Sequence, residues 1–378
     1  MTEPAAHRWW QRDPDASLRN PDIFVVARVA AILTWAIVFL KVCLDRGGVP
    51  YLRTDLLFWL ATGLLAWSIG QRRFWIVVLD FLPFALVLIA YDHLRGIADT
   101  MGMPTWWHPQ LDVDKALFGG RVPTIWLQEH LHYPGDLRWW DDLFALTYAS
   151  FFFLPYVTAA VLWLRNRAQY RRWAARFVSL SFLGFGLFAL VPSAPPWAAA
   201  RCSAAQVANH PSNPSCINGN GRADNGLLGE LFNVHTHSLG YVSRMSTQGL
   251  SELHLHLAGK WIQTGQYSAD RVAAVPSLHA GGIMLFTIFM WPRVNRFWKT
   301  VLVIYNPLMM VALAYGAEHY VSDVLAGWLC AALVCVAWNR IERWWAKRKA
   351  PADTLDTPPQ DPEGAETCPP TVTTPSSI

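Results

Sequence analysis

Ionisable side chains crowd the stretch YGAEHYVSDVLAGW, residues 315–328, among them Tyr315, Glu318, His319 and Asp323. Apolar runs flank it, TVLVIYNPLMMVALA before and LAGWLCAALVCVAW after, so these charges fall where a helix enters a membrane. Charge is costly there and marks function by default. His319 and Asp323 are four residues apart, which on a helix puts them on one face. A carboxylate that accepts the proton of one imidazole nitrogen fixes the tautomer and frees the other nitrogen as nucleophile or base. It also stabilises positive charge developing on the ring. His279 follows VPSL at the start of another apolar run, and a protonated histidine there could donate to a leaving group. Two histidines and an aspartate without thiols suit phosphoester chemistry through a phosphohistidine. The residues by themselves leave the two histidines interchangeable. One alternative is a His–Asp pair that only caps and solvates a corner. Another is a zinc site of His279, His319 and Asp323, but no HxxxH or HExxH pattern accompanies them. No metal or cofactor is expected.

The elements that must position these residues are membrane helices. Of 378 residues, 53% are hydrophobic and 15% charged, where a soluble chain carries about a quarter charged. Apolar residues gather in segments of about 16 to 23, the length that crosses roughly 30 Å of hydrocarbon. The expected fold class is all-α: a polytopic transmembrane helical bundle of about eight spans with an ordered outer lid loop. The spans read at about 23–44, 55–70, 74–92, 143–164, 172–192, 275–291, 300–317 and 320–340. The 21 Trp fit this class, because indoles favour membrane interfaces.

The first 22 residues carry three Arg and no early apolar core, so no cleavable signal peptide is read and the first span is expected to be an uncleaved anchor. Basic clusters QRR (71–73), RNRAQYRR (165–172), RVNRFWK (293–299) and RIERWWAKRK (340–349) alternate with segments poor in Lys and Arg. Positive charge favours the inner side. Both termini are then cytoplasmic, and 45–54, 93–142, 193–274 and the 318–319 corner face outward. The sixth and seventh spans go in and come back, which brings His279 and His319 to one outer level. The expected organisation is a cytoplasmic segment 1–22, a transmembrane catalytic domain 23–341 and a cytoplasmic tail 342–378. That tail is rich in Pro and Thr and expected to be disordered. The expected location is the cell (plasma) membrane. The net charge of +4 mostly reflects the inner clusters, and no nucleic-acid partner is expected.

Outer segment 93–142 contains MPTWWHPQLDVDKALFGGRVPTIWLQEHLH and reads as interfacial, lying on the bilayer. Segment 193–274 begins at PSAPPWAAARC, carries the apolar patches LLGELF and LAGKWI, and ends at DRVAAVPSLHAGG; it reads as an ordered lid. Cys202 and Cys216 share it, and in an oxidising compartment a disulfide between them is expected. Cys43, Cys330 and Cys335 lie in or beside spans and Cys368 in the tail. HTH (235–237) and HLH (254–256) read as surface-loop histidines, and Asp80 as a hydrogen bonder packed inside the third span.

AVPSLHAGG (274–282) and HYVSDVLAG (319–327) resemble the second and third signature motifs of the type-2 phosphatidic acid phosphatase superfamily. Pro-Ser-Leu-His with His-Tyr-x-x-Asp is similar, more narrowly, to its inositol phosphorylceramide synthase-like branch. APPW (194–197), YDHLRG (91–96) and FGGRVPTIWLQ (118–128) resemble that branch too. The resemblance runs from about residue 75 to 340, and its specific part is the pair of His motifs roughly 40 residues apart. It implies a metal-free site at the outer leaflet in which His319 attacks phosphorus, Asp323 orients it and His279 protonates the leaving alcohol. The implied substrate is a lipid-linked phosphate, with a phosphorylated headgroup passed to a lipid or polyol alcohol. Simple hydrolysis of a lipid phosphate is the alternative. A non-catalytic lipid-binding or transport protein is a reading of another class; polar residues clustered at one face count against transport.

Departures from the pattern bear on the phosphate. The wider superfamily has an Arg six residues before the nucleophile, where this chain has Leu313, and a Lys-x6-Arg-Pro motif that is not found here. The charge of the transition state must then be met elsewhere. Arg271 and Arg201 are the nearest candidates in sequence, with Arg95 and Arg244 behind them; Ser277, Asp92 and Tyr320 complete the substrate-binding set. Each Arg could equally face solvent or headgroups. The branch often has a His after the Tyr of the fourth span, where YASFFF (148–153) has Phe151.

Overall fold

A computed structural model describes residues 22–45, 53–70, 73–95, 101–218, 226–253, 259 and 271–349. The chain opens with α1 (Asp22–Asp45), α2 (Arg53–Trp67) and α3 (Arg73–Arg95). Next come α4 (Pro109–Leu117), α5 (Pro123–Leu131), α6 (Trp139–Ser150), α7 (Leu154–Arg165) and α8 (Arg167–Leu190). The long segment after α8 holds α9 (Pro196–Ala199), α10 (Ala204–Val207) and α11 (Ser215–Asn218), then the antiparallel pair β1 (Leu231–Asn233) and β2 (Ser238–Gly240), then α12 (Gly249–Glu252). α13 (Leu278–Met290), α14 (Arg296–Tyr315) and α15 (Val321–Lys349) complete the described elements.

Among the described residues, four helices are long and apolar enough to cross a membrane: Ile23–Asp45, Arg167–Leu190, Arg296–Tyr315 and Val321–Arg348. The chain is a mostly helical membrane protein, with four or five spans by this measure among the described residues, where hydropathy along the sequence reads about eight. The fifth is α6 with α7, which meet at 53°. The expected single span 143–164 bends there because Pro155 has no N–H to give. Phe151 and Phe152 also close tighter bonds, to Tyr148 O (3.3 Å) and Ala149 O (3.0 Å). Two of the remaining expected spans form shorter apolar helices. α2 has 15 residues and α13, confined between Pro276 and Pro292, has 13, both below about 20, whereas α3 runs 23 residues with Pro83 inside it. The all-α expectation also meets one exception, the small β1–β2 hairpin.

α1 packs on α2 where Gly63 leaves room for the Trp35 indole; a Cβ there would lie 3.1 Å from the ring. Asp80 on α3 bonds the Arg167 guanidinium (2.5 and 2.8 Å) and Trp163 Nε1 (3.0 Å), as a packing group does. The turn from α4 to α5 passes Gly119 and Gly120, both at positive φ (63° and 87°), a conformation that side chains with a Cβ resist. Two hydrophobic clusters hold the site from either side. One gathers Trp107, Trp197, Cys202, Leu231, Val272 and Tyr320 from the connecting segments. The other joins Tyr148, Ile283, Met309, Leu313 and Val324 from the bundle.

The chain forms two units, residues 1–336 and 337–378. The second is described over 337–349, where the Arg348 guanidinium lies 3.7 Å from the centre of the Trp344 ring. Residues 1–21, the tail from 350 with Cys368, HLH and most of LAGKWI lie outside the described residues, as do the side chains of Asp92 and Arg95.

Candidate active site

The corner between α14 and α15 is built by two opposed helix ends. α14 closes in a Schellman arrangement, with Ala317 N–H on Ala314 O (3.1 Å) and Glu318 N–H on Leu313 O (3.0 Å). That turn requires a left-handed residue, and the buried Ala317 takes the position at φ 58°. α15 starts at once, and its first N–H groups need acceptors. Asp323 Oδ2 accepts from Tyr320 N–H at 2.9 Å, one half of a capping box. Asp114, brought in by α4, accepts from Val321 N–H (3.0 Å) and Ser322 N–H (2.9 Å). Both carboxyl groups are fully buried against the positive end of the helix dipole. Burial pushes the Asp114 carboxyl up, and the Ser322 and Val321 donors pull against it.

α13 supplies the second histidine. Ser277 caps it, its hydroxyl accepting from Ala280 N–H at 3.3 Å, while Ser277 N–H donates to Asp323 O at 3.0 Å. Two glycines let the helices meet: a Cβ on Gly327 would stand 2.2 Å from Ser277 O, and one on Gly281 3.0 Å from Gly327 O. The result is His279 Nδ1 at 3.2 Å from His319 Nε2. His319 Nδ1 lies 3.0 Å from Ala274 O, a group that can only accept. The proton of His319 therefore sits on Nδ1, and Nε2 turns its lone pair toward His279. Ala274 is fixed in turn by Ser193: Ala274 N–H meets Ser193 O at 3.1 Å and Val275 N–H meets Ser193 Oγ at 2.8 Å.

Here the geometry differs from the spacing argument. The sequence expects Asp323 to take the imidazole proton, yet Asp323 Oδ2 is 3.6 Å from Nδ1, beyond hydrogen-bond range. The N-terminus of its own helix draws the carboxylate onto Tyr320 N–H, and a backbone carbonyl takes its place. Asp323 acts on His319 as a neighbouring charge. His279 lies among the rings that the α6–α7 bend delivers, with centroids at 5.0 Å for Tyr148, 4.5 Å for Phe151 and 5.6 Å for Phe152.

The basic candidates separate clearly. Arg244 grips Glu318 through two bonds of 2.8 and 2.7 Å, and Ser246 Oγ adds a third at 2.5 Å. Burial raises the Glu318 carboxyl, but Arg244, Ser246 and nearby His319 outweigh it and hold the group below the ordinary range. Arg244 and Arg201 share the Trp197 ring, at 4.7 and 5.6 Å from its centre. Arg201 otherwise has a 3.5 Å contact to Ile217 O. Arg271 is half-buried beside Val272, and no protein group bonds its guanidinium among the described residues. Cys202 and Cys216 are joined, with S–S 2.02 Å. Ser277 is committed to capping, and Tyr320 is buried with its hydroxyl unpartnered among the described residues. Burial and the nearby Asp323, Asp114 and Asp112 raise that hydroxyl. His235 stacks on Tyr133 at 3.7 Å, and its Nε2 lies 2.8 Å from His130 O. Asp92 and Arg95 fall on the last turn of α3, with their side chains outside the described residues.

Sequence reasoning missed Asp114, Ser193 and the Ala274 carbonyl, and left Glu318 without a role. Only Asp114 had a readable signal: an acidic residue on a short interfacial helix, with no partner nearby in sequence.

Residues 125–337, more than half of the chain, match the family model described as PAP2 superfamily. The phosphoinositol dihydroceramide synthase of Bacteroides thetaiotaomicron is 27% identical over 260 residues, covering 67% of this chain and 73% of that protein. No solved structure matches. The paired histidines, the carboxylates at the α15 N-terminus and the match over more than half of the chain agree: the chain belongs to the PAP2 superfamily.

Proposed function

We propose that this membrane enzyme moves a phosphoryl group from a lipid-linked phosphate through a phosphohistidine on His319, with transfer of a phosphorylated headgroup as its reaction. The supporting observation is the His279 Nδ1 to His319 Nε2 approach of 3.2 Å, with His319 Nδ1 occupied by Ala274 O. His319 Nε2 attacks phosphorus; the P–N bond forms as the P–O bond to the lipid alcohol breaks, and His279 gives that alkoxide its proton. An incoming alcohol then loses its proton to His279, attacks phosphorus and releases the imidazole. Asp323 and the Ala274 carbonyl steady the charge and orientation of His319 through both steps. Arg201 and Arg271 are the cations with capacity left for phosphate oxygens, since Arg244 is taken by Glu318.

The segment 193–274 acts as a lid that keeps water from the intermediate, and the site faces the extracytoplasmic side. The name of the relative supports transfer over hydrolysis. The test uses purified protein in detergent with a panel of phospholipids labelled at phosphorus, with and without acceptor alcohols such as a ceramide. Quenched samples are expected to carry acid-labile label on the 315–323 segment, lost in His319→Ala. Labelled product is expected to need the acceptor. Wild-type turnover by His319→Ala would end the assignment, and release of inorganic phosphate regardless of acceptor would make the enzyme a lipid phosphatase.

A further inference from the structure

A cavity of about 360 Å³ opens between the α4–α5 connection and α14, within the roughly 300–1,000 Å³ of ligand sites. Phe118 and Leu127 form one wall, Met310, Val311 and Ala314 the other, and Arg121 is the one charged residue lining it. No histidine borders it; Val321, at the start of α15, lines its inner end. Its α14 wall belongs to a helix that crosses the membrane. Ile304 is 59% exposed, and Val311, two turns further, lies on the same helix face. The hydrocarbon that coats α14 therefore leads into the groove. The guanidinium of Arg121 has no hydrogen-bond or ion-pair partner among the described residues and is exposed. An apolar channel beside a hydrophobic helix suits a chain of methylenes, and an unpaired cation beside it suits a phosphate oxygen.

We infer that this groove binds one acyl chain of an anionic phospholipid whose headgroup phosphate pairs with Arg121. The site is a resident-lipid site and does not depend on which reaction His319 performs. The connection carrying Arg121 passes from α4, whose Asp114 caps α15 two residues after His319, so a lipid held there braces the element that positions the nucleophile.

The test is photo-crosslinking of full-length protein in bilayers, with phosphatidylglycerol or phosphatidylcholine carrying a diazirine in the acyl chain. Adducts are expected on segments 118–127 and 310–314. Arg121→Gln is expected to reduce the phosphatidylglycerol adducts roughly fivefold and the phosphatidylcholine adducts less, because the choline cation already offsets that lipid's phosphate. Ala314→Trp, which fills the groove, is expected to remove both. His319→Ala is expected to crosslink like wild type, which separates failure of this site from failure of the catalytic reading. Absence of adducts on these segments overturns the inference, as does labelling by phosphatidylglycerol that ignores Arg121→Gln. Complete competition by inorganic phosphate would show a free-phosphate site and also overturn it.

Discussion

Gly327 lies so close to Ser277 that a Cβ on the glycine would stand 2.2 Å from the serine carbonyl oxygen. This contact sets how α13 meets α15, and His279 is two residues beyond Ser277. Gly327→Ala must push that carbonyl away and take His279 with it. Turnover is expected to fall about 10²-fold, the effect of a displacement near 1 Å in a reacting pair. Gly186→Ala is the control: nothing lies within 4 Å of that Cβ, and alanine in a helix interior gains about 0.5–1 kcal/mol. A Gly327→Ala enzyme with normal rates contradicts the close-packing account.

His279 differs from His319 in what its loss should cost. As proton donor it contributes about 10²–10⁴-fold with a poor leaving group. His279→Ala is expected to lose that factor on an alkyl phosphate ester and recover most of it on a nitrophenyl ester, which leaves unprotonated. His319→Ala should recover on neither. Equal losses on both esters for His279→Ala would remove it as the acid.

Arg244 and Glu318 form a pair whose side chains are 18% and 6% exposed. Breaking such a pair strands a buried charge and costs roughly 3–5 kcal/mol. Arg244→Gln is therefore expected to lower thermal stability in detergent strongly, and Arg244→Gln with Glu318→Gln to lower it less than Arg244→Gln alone. An Arg244→Gln protein of wild-type stability that loses only phosphate affinity would instead put Arg244 on the substrate.

The same pair gives a signed pH dependence. The Glu318 carboxyl is held below its ordinary value of 4.5, so the folded state binds its proton less readily than the unfolded chain. Its stabilisation is fully present above pH 4.5 and is lost as pH falls through the lowered folded value. Unfolding temperature measured from pH 7 downward is expected to drop on the acid side of 4.5. Glu318→Gln should flatten that part of the fall; an identical acid limb in both proteins would assign the fall to other carboxyl groups.

Asp114 holds two N–H groups at the start of α15. Asp114→Asn keeps one acceptor and is expected to cost about 1 kcal/mol, with Asp114→Ala costing up to about 2 kcal/mol. Because the same turn carries His319, kcat is expected to fall in the order wild type, Asn, Ala, with KM nearly unchanged. A loss confined to KM would place Asp114 in substrate binding.

The sequence by itself determined the membrane class and the family and singled out His279, His319 and Asp323 as candidates, because each is written locally in apolar runs and short motifs. It also marked the Cys202–Cys216 pair and the packing role of Asp80. It did not show where helices break, since hydropathy does not register how Pro155, Pro276 and Pro292 interrupt helices that must donate every N–H. The tertiary structure decided what each charge does. Asp323 lies nearer its own helix N-terminus than the imidazole, so Ala274 O orients His319, and Asp114 arrives from more than 200 residues upstream to complete the cap. Glu318 looked idle until Arg244 was brought to it across 74 residues. Acceptors are chosen by distance and burial in space, and neither quantity is carried by spacing along the chain.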